Sequence, residues 1–195
     1  MDAIETIDVR GLTVELHYDD DPYNPLIEND NAWTFIGDSG CRFGLNEKRA
    51  WADFSDPDCL AQIRGSSRDL VAVLRADDYG SQGGGLYRVD DLADCNAAAI
   101  LSAQQLADEW KGDREAAYRY LDAVIKEYQS YLDGEVYYFT VSDGDEVIDS
   151  CGGFIGDIEY CRSEAVTTAE YHADDRDHRN LLRGLSQVAC AGMAV

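Results

Sequence analysis

The sequence predicts an α+β fold: a mixed or antiparallel sheet built from hairpins, with one long amphipathic helix and a C-terminal helix packed on it. Three observations carry this. Alternating apolar runs flank short turns at Arg10-Gly11 and Ser142-Asp143-Gly144-Asp145, which is hairpin chemistry. Asp113 to Leu132 holds one helical apolar stripe. Strands and helices do not alternate as β-α-β units, which disfavours a parallel sheet. At 195 residues the chain is expected to form a single α+β domain over 1–195, ending in a weakly structured tail over 173–195.

Ile4 to Tyr18 reads as the first hairpin, with Leu12, Val14 and Leu16 on one face of its second arm. Asp19-Asp20-Asp21-Pro22 ends it, because clustered like charges and prolines cannot continue a ladder. Ala32 to Ile36 is a short strand, followed by a turn-rich stretch from Gly37 to Gly44; Asp56-Pro57 opens a short helix to about Ile63. Asp69 to Arg75 has a continuous apolar centre, as expected for a strand covered on both faces. The loop from Ala76 to Gly85 is glycine-rich but lacks the Lys-Ser/Thr of a phosphate loop. Leu86 to Val89 is a further strand, and Ser102 with Gln105 marks a capping box for a helix to Trp110. In the long helix, Tyr118 and Tyr120 flank the stripe as packing residues. Glu135 to Val141 and Glu146 to Cys151 form the second hairpin, and Asp157 caps a helix to about His172. The polar run Asp174 to Arg179 interrupts it, before a short helix over Leu181 to Val188.

Composition narrows the function. The chain has 39 acidic and 16 basic residues, a net charge of −23; Asp outnumbers Glu 27 to 12, and three lysines stand against 13 arginines. Such a chain is not expected to bind DNA, RNA or an anionic membrane directly, since those ligands need a basic face. No apolar run reaches the ~18 residues of a membrane span, and the first residues carry acids where a targeting peptide carries bases. The expected location is the cytoplasm of the host cell. Six cysteines without a C-x-x-C pair imply free thiols in a reducing compartment.

Residue constellations for chemistry are poor. Cys151, Cys161, His172 and His178 match no zinc spacing, so no metal or cofactor is expected. Asp143-Gly144-Asp145-Glu146 with Asp149 lacks the third ligand and closing Glu of a calcium loop; a hairpin turn explains it. Cys151 beside Gly152-Gly153 is the one cysteine in an unusual backbone context, and a buried structural thiol accounts for it better than a nucleophile does. No catalytic residue is assigned, and a thiol-dependent enzyme is the weakest reading. The acidic clusters say more: Asp19, Asp20 and Asp21; Asp77 and Asp78; Asp90 and Asp91; Asp174, Asp175 and Asp177. They fall in loops or at element ends, where they form localised negative patches suited to a basic nucleic-acid-binding protein.

Tyr128, Tyr131, Leu132, Gly134, Ser150, Cys151, Gly153, Phe154, Gly156, Tyr160 and Ala165 form a pattern: a helix ending Y-x-x-Y-L-x-G, a hairpin, S-C-x-G-F-x-G, then an E-Y…E-A helix. Leu132 to Ala165 thereby resembles a recurring segment in small acidic accessory proteins of phages and plasmids. Gly152 stands where Trp is frequent in that group, which implies a missing aromatic contact. The resemblance implies a mobile-element accessory protein and no particular reaction. In charge, such proteins resemble the DNA-mimicking inhibitors of restriction and CRISPR systems. The expected function is therefore inhibition of a host defence or nucleic-acid-binding protein through an acidic, DNA-like surface, by protein–protein interaction. The alternative is a cytosolic protein of a salt-loving host, whose acids serve hydration.

Overall fold

Arg10 and Gly11 close the first hairpin with φ of 53° and 83°. Two successive left-handed residues make the turn whose twist matches paired strands. The structure, a computed structural model, describes residues 3–28, 32–37, 68–77, 85–90 and 94–192. In chain order its strands are β1 (Glu5–Val9), β2 (Leu12–Tyr18), β3 (Thr34–Gly37), β4 (Leu70–Ala76), β5 (Leu86–Arg88), β6 (Ala97–Leu101), β7 (Val136–Asp143) and β8 (Glu146–Ile155). The helices are α1 (Pro25–Glu28), α2 (Ala103–Trp110), α3 (Arg114–Leu132) and α4 (Ile158–Gly192). The fold is α+β, with two antiparallel four-stranded sheets. Contacts divide the chain into two compact units, one of Met1–Pro22 with Glu135–Val195 and one of Tyr23–Gly134.

In the first unit the strand order is β1-β2-β7-β8, all antiparallel. Alternation puts Leu12, Val14 and Leu16 of β2 beside Tyr137, Phe139 and Val141 of β7 on one face. That face is covered by α4 through Cys161, Ala165, Ala169 and Ala173, all fully buried. Every fourth residue is small, so the helix lies close on the sheet. Asp157 caps it as expected, its carboxylate accepting the Tyr160 amide at 2.9 Å.

Two expectations for this unit are corrected. The tail over 173–195 is not weakly structured where described: α4 runs unbroken to Gly192, replacing the two short helices. No Gly or Pro interrupts it between Asp157 and Gly184, and Asp175 supports Arg179 one turn on at 3.0 Å. Likewise, β8 does not stop at Cys151 but continues to Ile155. Tyr137 pairs with Phe154 and Tyr138 with Gly152, leaving Gly153 as an extra residue at φ 83°. This is a β-bulge of the type that needs glycine.

The second unit has strand order β3-β6-β4-β5. Its core gathers Trp33, Phe35, Leu70, Leu74, Leu101 and Leu121, with α2 and α3 supplying the helical side. The central strand β6 was not expected. Alanine is a weak strand former and Ala97-Ala98-Ala99 shows no alternation, yet all three are buried between β3 and β4. Tertiary burial overrides propensity there. On β4, Leu70, Ala72 and Leu74 are buried while Val71 and Val73 are half-buried, so the strand is covered fully on one face only. The helix expected over 56–63 lies outside the described residues, as does most of the stretch from Gly37 to Gly44 and the loop glycines 80–84.

The capping box at α2 forms as read. Ser102 Oγ accepts the Gln105 amide at 3.2 Å, and Gln105 Oε1 accepts the Ser102 amide at 3.4 Å. The Gln105 side chain also donates to the Ala32 carbonyl at 3.0 Å, joining the cap to the residues just before β3. Ser102→Ala is expected to destabilise the protein by about 1 kcal/mol, measured as a lower urea midpoint with an unchanged m-value. In α3, Ala117, Leu121, Val124 and Tyr128 form the buried stripe, and Tyr118 donates its hydroxyl to the Val71 carbonyl at 3.1 Å. Burial pushes the Tyr128 phenol up to about 12.

Candidate functional site

The acidic clusters are the candidate site, and their surroundings differ. Asp19, Asp20 and Asp21 follow β2. The Asp19 amide donates to the Val136 carbonyl at 2.8 Å, and Asp19 Oδ1 accepts the Asp21 amide at 3.1 Å. This turn holds Asp20 and Asp21 exposed. Among the described residues no arginine or lysine pairs with any of the three, so their charge is uncompensated at short range.

Asp174, Asp175 and Asp177 are exposed on α4 but partnered. Arg10, in the first hairpin turn, bridges Asp174 and Asp177 at 2.5 Å each. Arg176 donates to the Arg10 carbonyl at 2.6 Å, so turn and helix hold one another reciprocally. Arg179 takes Asp175. Because Arg10 precedes β2 and Asp19 follows it, the two clusters mark opposite ends of the same sheet, separated by the roughly 20 Å length of a seven-residue strand. In the second unit Asp77 pairs with Arg75 at 2.8 Å and Asp90 is exposed after β5; Asp78 and Asp91 lie outside the described residues.

The first unit holds 19 acidic and 5 basic residues, a net charge of −14. Four of its five arginines are tied to its own carboxylates: Arg10 and Arg179 as above, Arg176, which lies 3.8 Å from Asp177, and Arg162, which bridges Glu5 at 2.6 Å and Glu159. Those pairs position the hairpin against α4. They leave Asp8, Asp20, Asp21, Glu135, Asp145, Glu146, Asp157 and Glu170 exposed without an arginine or lysine partner among its described residues, with Asp19 half-buried and likewise without one. The sequence shows the clusters but not this division, since Arg10 and Asp174 are 164 residues apart.

A cleft of about 760 Å³ opens between the β7–β8 turn and α4, lined by Glu146, Val147, His172 and Arg179 among others. Its arginines and its histidine already have partners. His172 Nε2 lies 2.7 Å from Asp149 Oδ2, and this hydrogen bond, with the Ser150 amide, holds the Asp149 carboxyl below its usual range. The folded-state pKa is then below the unfolded value near 3.8, so the carboxylate's contribution is full above that pH and is lost as pH falls through the folded value. The stability gap between the wild type and Asp149→Asn is accordingly expected to close below about pH 4, as read by urea unfolding across acidic pH.

Cys151 is exposed rather than buried, which corrects the expectation; it sits on the edge strand β8, with Sγ 3.9 Å from the Gly152 carbonyl oxygen. Among the described residues the buried thiol is Cys161, pushed up to about 11 by burial. No histidine among the described residues is bonded to either. His17 is buried and stacked on Tyr138 at 4.8 Å, and His172 faces Asp149. Among the described residues no three His, Cys, Asp or Glu side chains converge as a metal site.

Several residues of the Leu132–Ala165 pattern have structural roles. Gly153 is the bulge, and Gly156, at φ 75°, turns the chain into α4 while its amide donates to the Glu135 carbonyl. Phe154 packs between Phe139 and Tyr160, and Ala165 is buried under the helix. At Gly152 a Cβ would stand 3.2 Å from that of Tyr138, so any larger side chain there would crowd Tyr138. No described helix is long and apolar enough to cross a membrane. No protein-family model, curated protein or solved structure matches the chain.

Proposed function

We propose that the protein is a phage- or plasmid-encoded accessory factor of the host cytoplasm. In this reading it binds a basic nucleic-acid-binding protein, such as a defence nuclease, by presenting carboxylates in place of phosphates. The observation that supports this best is the unpaired Asp19–Asp21 turn at one end of a unit with net charge −14 whose own arginines are mostly engaged internally. Short Asp stems on a turn pinned to Val136 keep negative charge close to an anchored backbone. A groove built for DNA, which carries one charge per about 1.7 Å of axis, responds to such charge. The interaction is steered at long range and weakens with salt.

The test uses the full chain immobilised against lysate of a restriction- or CRISPR-proficient bacterium. Support is a retained DNA-binding protein that duplex DNA displaces and whose DNA cleavage the free chain inhibits. Retention that excess duplex DNA leaves untouched, or no effect on cleavage, would overturn the reading.

A further inference from the structure

We propose that the open face of Tyr18, set beside the carboxylates of Asp19–Asp21 and Glu135, is a recognition site for arginine side chains of a protein partner. Tyr18 is the last residue of β2 and stays 50% exposed, although Val14 and Leu16 on the same side of the strand are fully buried. Its ring is anchored on one side. It pairs across the sheet with Tyr137 and lies 5.3 Å from that ring at 37°, and Tyr137 is itself buried in the core under α4. The carboxylates come from the same strand ends. The Asp19 amide, bonded to the Val136 carbonyl, sets the Asp19–Asp21 turn beside Glu135, the residue that precedes β7. Asp20, Asp21 and Glu135 are exposed, and the Tyr137 phenol is pushed up by burial first and then by the neighbouring Tyr18 and Glu135. Among the described residues none of these four carboxylates has an arginine or lysine partner.

Ring and charge together select the ligand. An aromatic face attracts a cation, and carboxylates at its margin accept that cation's N–H groups. Arginine meets both demands at once, because its planar guanidinium stacks on a ring while its donors point outward in the plane to carboxylate oxygens. The ammonium of lysine is a strongly hydrated point charge and lacks that planar fit. A nucleic acid or an anionic lipid is repelled by the four acids, and a second copy of this chain is repelled by its own net charge of −23. Arginine is also the residue by which proteins grip nucleic-acid phosphates. The arginine preference rests on the reading of the Asp19–Asp21 turn as the partner site, and it adds Tyr18 as the residue that sets specificity there.

The test titrates the full chain in about 0.15 M NaCl with two capped peptides of equal charge, Gly-Arg-Gly-Arg-Gly and Gly-Lys-Gly-Lys-Gly. Binding is read by NMR at the amides of Tyr18, Asp20 and Glu135. The arginine peptide is expected to bind about two- to fivefold more tightly, the ratio that a cation–π contact at an exposed site supplies, with its Cδ protons shifted upfield by the ring. Tyr18→Leu keeps an apolar side chain against Tyr137 and changes no charge; it is expected to bind both peptides at the lysine level. Tyr18→Phe is expected to keep the preference, and unchanged hydrogen exchange of the β7 amides shows that both variants are folded. Equal affinity of the wild type for the two peptides overturns the proposal. So does a folded Tyr18→Leu chain that retains the preference, or binding that perturbs only the Asp174–Asp177 segment. Shifts at the same amides that track the concentration of the chain alone would assign the face to a second copy, and also overturn it. Capture of a DNA-displaced protein by a chain without the preference would overturn arginine recognition and leave the proposed function standing. A preference lost in Tyr18→Leu, without such capture, would support the site and count against that function.

Discussion

Phe139→Ala is expected to destabilise the first unit by about 3–5 kcal/mol, the range for deleting a fully buried aromatic side chain. Phe139 is 1% exposed at the centre of β7, with its ring 5.8 Å from that of Phe154. It sits in the cluster where β2, β7 and α4 meet, among Leu12, Val14, Leu16, Val141, Cys161 and Ala165. The fully buried positions of α4 above it are alanine and cysteine, which are too short to reach into the void. The cavity term then adds to the lost transfer energy. Urea unfolding followed by near-UV signals should show the loss. A change under about 1 kcal/mol would mean that this interface is loosely packed.

Converting Asp19, Asp20 and Asp21 together to Asn is expected to weaken binding of the proposed basic partner about 10- to 100-fold, since exposed pairs contribute up to about 1 kcal/mol each. The clearer signature is the salt dependence. Removing three phosphate-like charges should reduce the slope of log affinity against log salt by about three, by the same rule that governs phosphate contacts. Asn preserves the acceptor that holds the Asp21 amide, so the turn is retained. The matching change at Asp174, Asp175 and Asp177 is expected to act differently, because those groups hold Arg10 and Arg179. It should loosen α4 from the hairpin turn while altering the salt slope less. Binding that is indifferent to the Asp19–Asp21 change would remove that turn from the interface.

The readable parts of the fold were those with local signals. Hairpin turns announce themselves through Arg10-Gly11 and Asp143-Gly144, and the capping box through Ser102 and Gln105, because the deciding interactions span a few residues. The central strand β6 was illegible, since Ala97-Ala98-Ala99 becomes a strand only when β3 and β4 flank it. The continuity of α4 was hidden by the polar run Asp174 to Arg179. Its charges look like a helix break until Arg10, far upstream, is seen to pair with them. For the candidate site, acid clustering was legible but compensation was not. Whether an aspartate is a free charge or half of a clamp depends on tertiary neighbours. Cys151 shows the same limit: paired glycines suggested a special site, whereas Gly153 serves a bulge in an edge strand and leaves the thiol in the open.

The first unit is assembled from two separated stretches of chain, with β2 meeting β7 through pairs such as Val14 with Val141. During synthesis at about 5–20 residues per second, the β1–β2 hairpin therefore waits roughly 6–25 s for its neighbour to leave the ribosome. The stretch from Tyr23 to Gly134 has all its strands and helices in hand before then. Maturation should thus proceed from the middle outward, with the carboxylate-rich layer the last to become shaped.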